Sequence, residues 1–126
     1  MAFAWVDYLD LAARLAPDSR EAEKRTAISR AYYAAFNQAD SCLRLHGISP
    51  TPGEIHKKVW DEFKRGSHAA RQISLDGDRL RRSRVDADYK VPFPRDVAFE
   101  TGVSVQLARK LSTAIGTLRR SDFQAP

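Results

Sequence analysis

Between Ser19 and His46 the chain runs without a glycine or proline, and no other feature limits its folding as strongly. Ala27, Ile28, Ala31, Ala34, Ala35, Ala39, Cys42 and Leu45 recur there at helical spacing, which predicts one long helix. Its stripe is mostly small side chains, so neighbouring helices can approach closely. Gly47 is placed to end it as the C′ residue. A shorter helix precedes it from Phe3 to Ala16, with Trp5, Tyr8, Ala12 and Leu15 on one face and Pro17 as its stop. Asp18 with Glu21 three residues on has the form of a capping box.

After a two-proline connection from Ile48 to Gly53, Thr51, Pro52 and Glu54 read as a capping residue, an N1 proline and an N3 acid. They open a third helix whose apolar face is Ile55, Val59, Trp60 and Phe63 and which ends at Gly66. A fourth segment is expected to begin around Ser74 and to run through Leu80 towards Tyr89, because Arg71 to Asp78 mixes its signals. Pro92 and Pro94 bracket a break. The last helix starts at Arg95 or Asp96 and extends to about Arg120, with Val97, Thr101, Ser104, Ala108, Leu111, Ile115 and Leu118 turned inward. Gly102 and Gly116 weaken it by about 1 kcal/mol each, so packing has to hold it. No stretch alternates with period two. The fold class is therefore all-α: an up-and-down bundle of four to five helices forming a single domain over residues 1–126.

Composition removes several classes of protein. At 126 residues the chain can bury roughly two-thirds of its unfolded surface without staples. The single Cys42 permits neither an internal disulfide nor a multi-thiolate metal site, and on an apolar face it reads as a small core residue. No apolar stretch approaches the ~18 residues of a membrane span, and Met1 to Trp5 lacks a positive n-region. We expect a cytoplasmic protein with no membrane partner.

The net charge is +5, and it is unevenly placed. Residues 1–55 carry a balance of −1 and residues 56–126 one of +6, densest at Arg79, Arg81, Arg82 and Arg84. Such a region suits a polyanion such as RNA or DNA, or an acidic protein. On charge alone it suits a solvated helix face better, since Asp76, Asp78, Asp86 and Asp88 flank it. The six glycines are too scattered for a phosphate loop. His46, His56 and His68 lack the spacing of a helical zinc site, so neither metal nor cofactor is expected.

Three clusters carry more information. They are Ser29-Arg30-Ala-Tyr-Tyr33-Ala-Ala-Phe36 with Asn37, His56-Lys-Lys-Val59 leading to Phe63, and Arg84-Val-Asp-Ala-Asp88-Tyr89. Together they resemble the HEPN superfamily (higher eukaryotes and prokaryotes nucleotide-binding), and most closely its small stand-alone bacterial and archaeal members. The resemblance spans roughly Tyr8 to Leu118. It implies a helical bundle that dimerises, of the toxin–antitoxin or defence type, with a minimal nucleotidyltransferase as antitoxin partner. Many such proteins are metal-independent endoribonucleases, with a composite site built from an R-x(4–6)-H motif in each subunit. That chemistry suits RNA, whose 2′-hydroxyl is the nucleophile; an imidazole moves the proton and a guanidinium holds the phosphate.

Here the motif histidine is missing. Counting from Arg84, its place falls on Tyr89, Lys90 or Val91; counting from Arg82, on Ala87, Asp88 or Tyr89. A tyrosine with an ordinary pKa near 10 is a poor base at neutral pH. Arg84, Asp88 and Tyr89 are thus the candidate catalytic residues, with Arg82, Arg30, Asn37, His56 and Tyr33 as candidate RNA- or nucleotide-binding residues. Ordinary roles stand beside these. Arg84 and Asp88 are spaced as a surface i, i+4 pair worth about 0.3–0.5 kcal/mol. Tyr32, Tyr33 and Phe36 suit core or dimer packing more than a base platform. Arg30, if it faces inward, needs a carboxylate such as Asp86 or Asp88. His56 fits a structural place near a helix start, and Asn37 either supports the site or lies exposed. A non-catalytic module that partners a nucleotidyltransferase is the alternative function.

Overall fold

The computed structural model describes residues 2–123. Its elements are α1 (Val6–Leu15), α2 (Glu21–Leu45), α3 (Ile55–Lys64), α4 (His68–Tyr89) and α5 (Val97–Gly116), followed by a 3₁₀ turn at Arg120–Phe123. The described residues contain no strand, and the protein is an all-α helical bundle.

The long α2 lies at the centre, against α5, α1 and α4, while α3 packs mainly on α4. Ala27, Ala31, Ala34, Ala35 and Ala39 are all buried along it, as the small-residue stripe predicts. The large side chains that fill the remaining space are Tyr32, Leu43, Trp60, Phe63, Leu80 and Leu111. Each such side chain, fully removed from water, contributes about 1.5–3 kcal/mol. Leu45 departs from the stripe: it is 82% exposed, at an open groove between the start of α1 and the end of α5. A second cluster of Ile28, Ala87 and Phe93, with Val97 against it, ties down the break between α4 and α5.

Helix ends show where local signals were overruled. At the end of α2, Gly47 takes φ +81°. Its N–H bonds to the Arg44 carbonyl at 3.0 Å and that of Ile48 to the Leu43 carbonyl at 2.8 Å, a Schellman closure. Asp18 forms no capping box. The N-cap is Arg20, and Asp18 instead accepts from the Arg20 N–H and guanidinium, which hold its carboxyl low at about 2. Thr51 likewise does not cap α3: the helix begins after Glu54, at φ 48°, and Lys58 reaches back to the Thr51 hydroxyl at 2.8 Å. α1 starts at Val6 rather than Phe3, and α5 stops at Gly116 rather than near Arg120.

The largest correction concerns α4, which starts six residues before Ser74. Ser67 caps it by accepting from the Ala70 N–H at 3.2 Å, and donates its own hydrogen to Asp122 at 2.7 Å. The charged stretch from Arg71 to Asp78 stays helical because Ala70, Ile73 and Gly77 face the core. Gly77 is there for space, since a Cβ on it would lie 2.5 Å from the Trp60 ring. Asp96 caps α5 through the Phe99 N–H, as one of the two expected starts.

Candidate functional site

Residues 81, 84 and 88 of α4 lie on one side of the helix, since three- and four-residue steps return to the same face. That side meets the aromatic segment of α2. Arg84 is only 7% exposed, so it is no surface ion-pair member. Its guanidinium carbon stands 5.3 Å from the ring centroids of both Tyr32 and Tyr33. The pairing with Asp88 is loose, with Nη1 to Oδ2 at 3.7 Å, and the buried Nε has no hydrogen-bond partner. A buried cation with one distant carboxylate and an idle N–H is poorly satisfied by its own chain. The same Asp88 oxygen also takes a long hydrogen bond, at 3.4 Å, from the Ser29 hydroxyl.

Arg30 stands on the other side of Tyr33. Its guanidinium lies 5.3 Å from that ring and 4.9 Å from Tyr8 of α1. The expected carboxylate partner is not used: among the described residues, Arg30 forms no ion pair with Asp86 or Asp88. Half-buried, it is served by two π-faces, and Asp86 is taken by Arg95 at 2.9 Å and Lys90 at 3.4 Å.

His56 enters from α3. Its ring stacks on Phe36 at 4.2 Å and its Nδ1 lies 2.6 Å from the Tyr32 hydroxyl oxygen, which also accepts from Trp60 Nε1 at 3.2 Å. Burial holds the imidazole below its usual pKa, and the charges of Arg84 and Arg81 lower it further. Burial also pushes the Tyr32 hydroxyl up to about 12. Arg84, Asp88, Tyr33, His56 and Arg30 thus converge on one corner, joined by Tyr32, whose spacing in the sequence suggests packing or a base platform and not this hydroxyl contact.

Three candidates stand apart. Tyr89 is 74% exposed, about 140° around the helix from Arg84. Arg82 is about 160° away and lines a separate open cleft of about 810 Å³. The Asn37 amide donates to the Tyr33 carbonyl at 2.8 Å, one turn back on its own helix. In the cleft Ser83 donates to Glu100 at 2.6 Å, and Arg95 bridges Glu100 and Asp86, so most of its floor is neutralised. Arg79 and Arg82 at its rim make no ion pair among the described residues. Arg81 was missed as a site residue. It lines the cleft, yet its charge acts on both His56 and Tyr32, and its place three residues before Arg84 was the available signal.

The chain matches no protein-family model, no curated protein and no solved structure. No helix among the described residues is long and apolar enough to cross a membrane.

Proposed function

We propose that this is a HEPN-type protein of the toxin–antitoxin or defence class, a cytoplasmic homodimer that binds RNA or a nucleotide by its phosphate at the Arg84 corner. One observation carries the reading: a buried guanidinium with an idle Nε, over two tyrosine rings, one of which is hydrogen-bonded to an imidazole. A fork of N–H donors in a shielded place binds phosphate far better than the same charge on a solvated face. The outlying arginines of α4 supply long-range attraction. Cleavage, if it accompanies binding, is metal-independent and uses the RNA 2′-hydroxyl. With no histidine following Arg84 on α4, binding is the primary activity.

The test is anisotropy of a labelled single-stranded RNA titrated with wild type, Arg84→Lys and Arg84→Ala. Loss of the charge-assisted contacts in Arg84→Ala weakens binding by about tenfold or more, and Arg84→Lys recovers part of it. Equal affinity in wild type and Arg84→Ala removes the reading. The exposed Tyr89, with no base role open to it, favours a second reading in which the protein partners a nucleotidyltransferase. Co-purification with such a protein, lost in Tyr89→Ala, would select it.

A further inference from the structure

Three side chains beneath Arg84 determine where one proton resides. The Trp60 indole can only donate, and it gives its hydrogen to the Tyr32 oxygen at 3.2 Å. The same oxygen lies 2.6 Å from His56 Nδ1. Were Nδ1 protonated, two N–H groups would point at one phenol oxygen. The Tyr32 hydrogen would then need an acceptor elsewhere, and this fully buried side chain has no other hydrogen-bond partner. With Nδ1 bare, Tyr32 donates to it, Trp60 donates to Tyr32, and every hydrogen is paired. The remaining imidazole proton is then on Nε2.

Around this ring stand Tyr32, Tyr33 and Phe36 of α2, and the charges of Arg81 and Arg84 on α4 act on it; Arg30 lies beyond Tyr33 against Tyr8 of α1, and Asp88 lies beside Arg84 and Ser29. Three are cations and one is a carboxylate, held only at 3.7 Å from Arg84. An imidazolium would add a fourth cation to a half-buried cluster; a neutral imidazole adds a donor without charge.

We propose that His56 is held as the neutral Nε2–H tautomer and pairs with Arg84 as a phosphate-binding donor, so that it does not act as the base of an RNA-cleaving reaction. The proposal rests on the reading of the Arg84 corner as a phosphate site, and goes on to assign the work of each group in it. Arg84 provides charge, His56 a neutral N–H, and the loosely held Asp88 is the internal anion that a phosphate displaces. The other histidines cannot take over as base. His46 packs beside Phe123 near the end of α2, and His68 is exposed at the start of α4.

Long-range ¹H–¹⁵N correlation on the full-length protein with labelled histidine reads the tautomer directly. At pH 7.5 the expected pattern for His56 is a bare Nδ1 and a protonated Nε2. A protonated Nδ1, or an imidazolium, overturns the proposal. Inorganic phosphate, adenosine monophosphate and a short single-stranded RNA are then titrated in separate arms. Movement of the His56 signal with all three identifies a site for phosphate as such. Movement with the nucleotide and RNA alone identifies a nucleotide phosphate, and no movement in any arm overturns the site.

Two variants separate donor from base. His56→Gln places an amide N–H near the Nε2 position, whereas His56→Asn keeps an acceptor for Tyr32 and removes the distal donor. RNA affinity is expected to stay within about threefold in His56→Gln and to fall about tenfold in His56→Asn. Equal loss in both, or RNA cleavage by wild type that His56→Gln abolishes, overturns the donor assignment. If Nδ1 proves protonated while Arg84→Ala still loses RNA, this proposal falls and the RNA reading stands. An Nε2–H tautomer with unchanged RNA affinity in Arg84→Ala removes the phosphate site and the donor role with it, and only the tautomer stands.

Discussion

The two sides of α4 carry the same residue types to different ends. On the side of Arg84 the charge is buried against Tyr32, Tyr33 and His56, and its one carboxylate is distant. On the side of Arg82 the cleft is open, and Arg95 is bound to Asp86 and Glu100. Burial therefore separates them more than charge does. A guanidinium in water is screened and interchangeable with its neighbours, whereas one under aromatic rings is fixed and dissatisfied. In the proposed function, specific recognition is assigned to the first side and general attraction to the second.

Truncation should separate the two most sharply. Trp60 is 1% exposed, fills the space over Gly77 and donates to Tyr32, so Trp60→Ala should cost about 3–5 kcal/mol in urea unfolding. Arg82→Ala, on the open cleft, should stay within about 0.5 kcal/mol. Similar costs for the two would abolish the distinction between a packed side and a solvated one.

Glycines sharpen the same point with a change of sign. Replacing a helical glycine by alanine ordinarily stabilises by about 1 kcal/mol. Gly102 of α5 is exposed with open space at its Cβ position, and Gly102→Ala should show that gain as a higher melting temperature. At Gly77 the new methyl would lie 2.5 Å from Trp60, and overpacking should outweigh the propensity gain, leaving a net loss of about 1–2 kcal/mol. A stabilised Gly77→Ala would show that the Trp60 ring can move, and with it the hydroxyl that positions His56.

The bundle could be read from the sequence because helix-forming residues and apolar spacing agree along most of the chain. The start of α4 could not. Its first three turns are held by Ser67 bonded to Asp122 and by Gly77 against Trp60, contacts far apart in sequence, while Arg71 to Asp78 hides the buried face. The site divides in the same way. Helical arithmetic already sets Arg84, Asp88 and Arg81 on one side of α4 and Arg82 and Tyr89 on others. What no spacing contains is the meeting of α3 with α2 that brings His56 to Tyr32 and shuts Arg84 away from water. Arg30 shows the limit of reasoning by partner type: an inward arginine calls for a carboxylate, and two tyrosine faces serve it instead.

The smallest effect expected is a pH dependence confined to the buried side. Burial, with Arg84 and Arg81 behind it, holds His56 below its ordinary pKa of 6.5 in the folded protein. The unfolded chain therefore takes up a proton first as pH falls, and between the unfolded and folded values it binds more protons than the native state. Stability contributed by this group is thus fully present above about pH 6.5 and is lost as pH falls through the folded value, below which the loss is constant. Melting temperature followed from pH 8 to pH 5 should decline more steeply for wild type than for His56→Gln, which cannot titrate there. The difference between the two curves isolates His56 from the other histidines and from the carboxylates, which both proteins share. Parallel curves would mean that His56 is as free to take a proton in the fold as in the unfolded chain, and that the corner is as open to water as the cleft behind it.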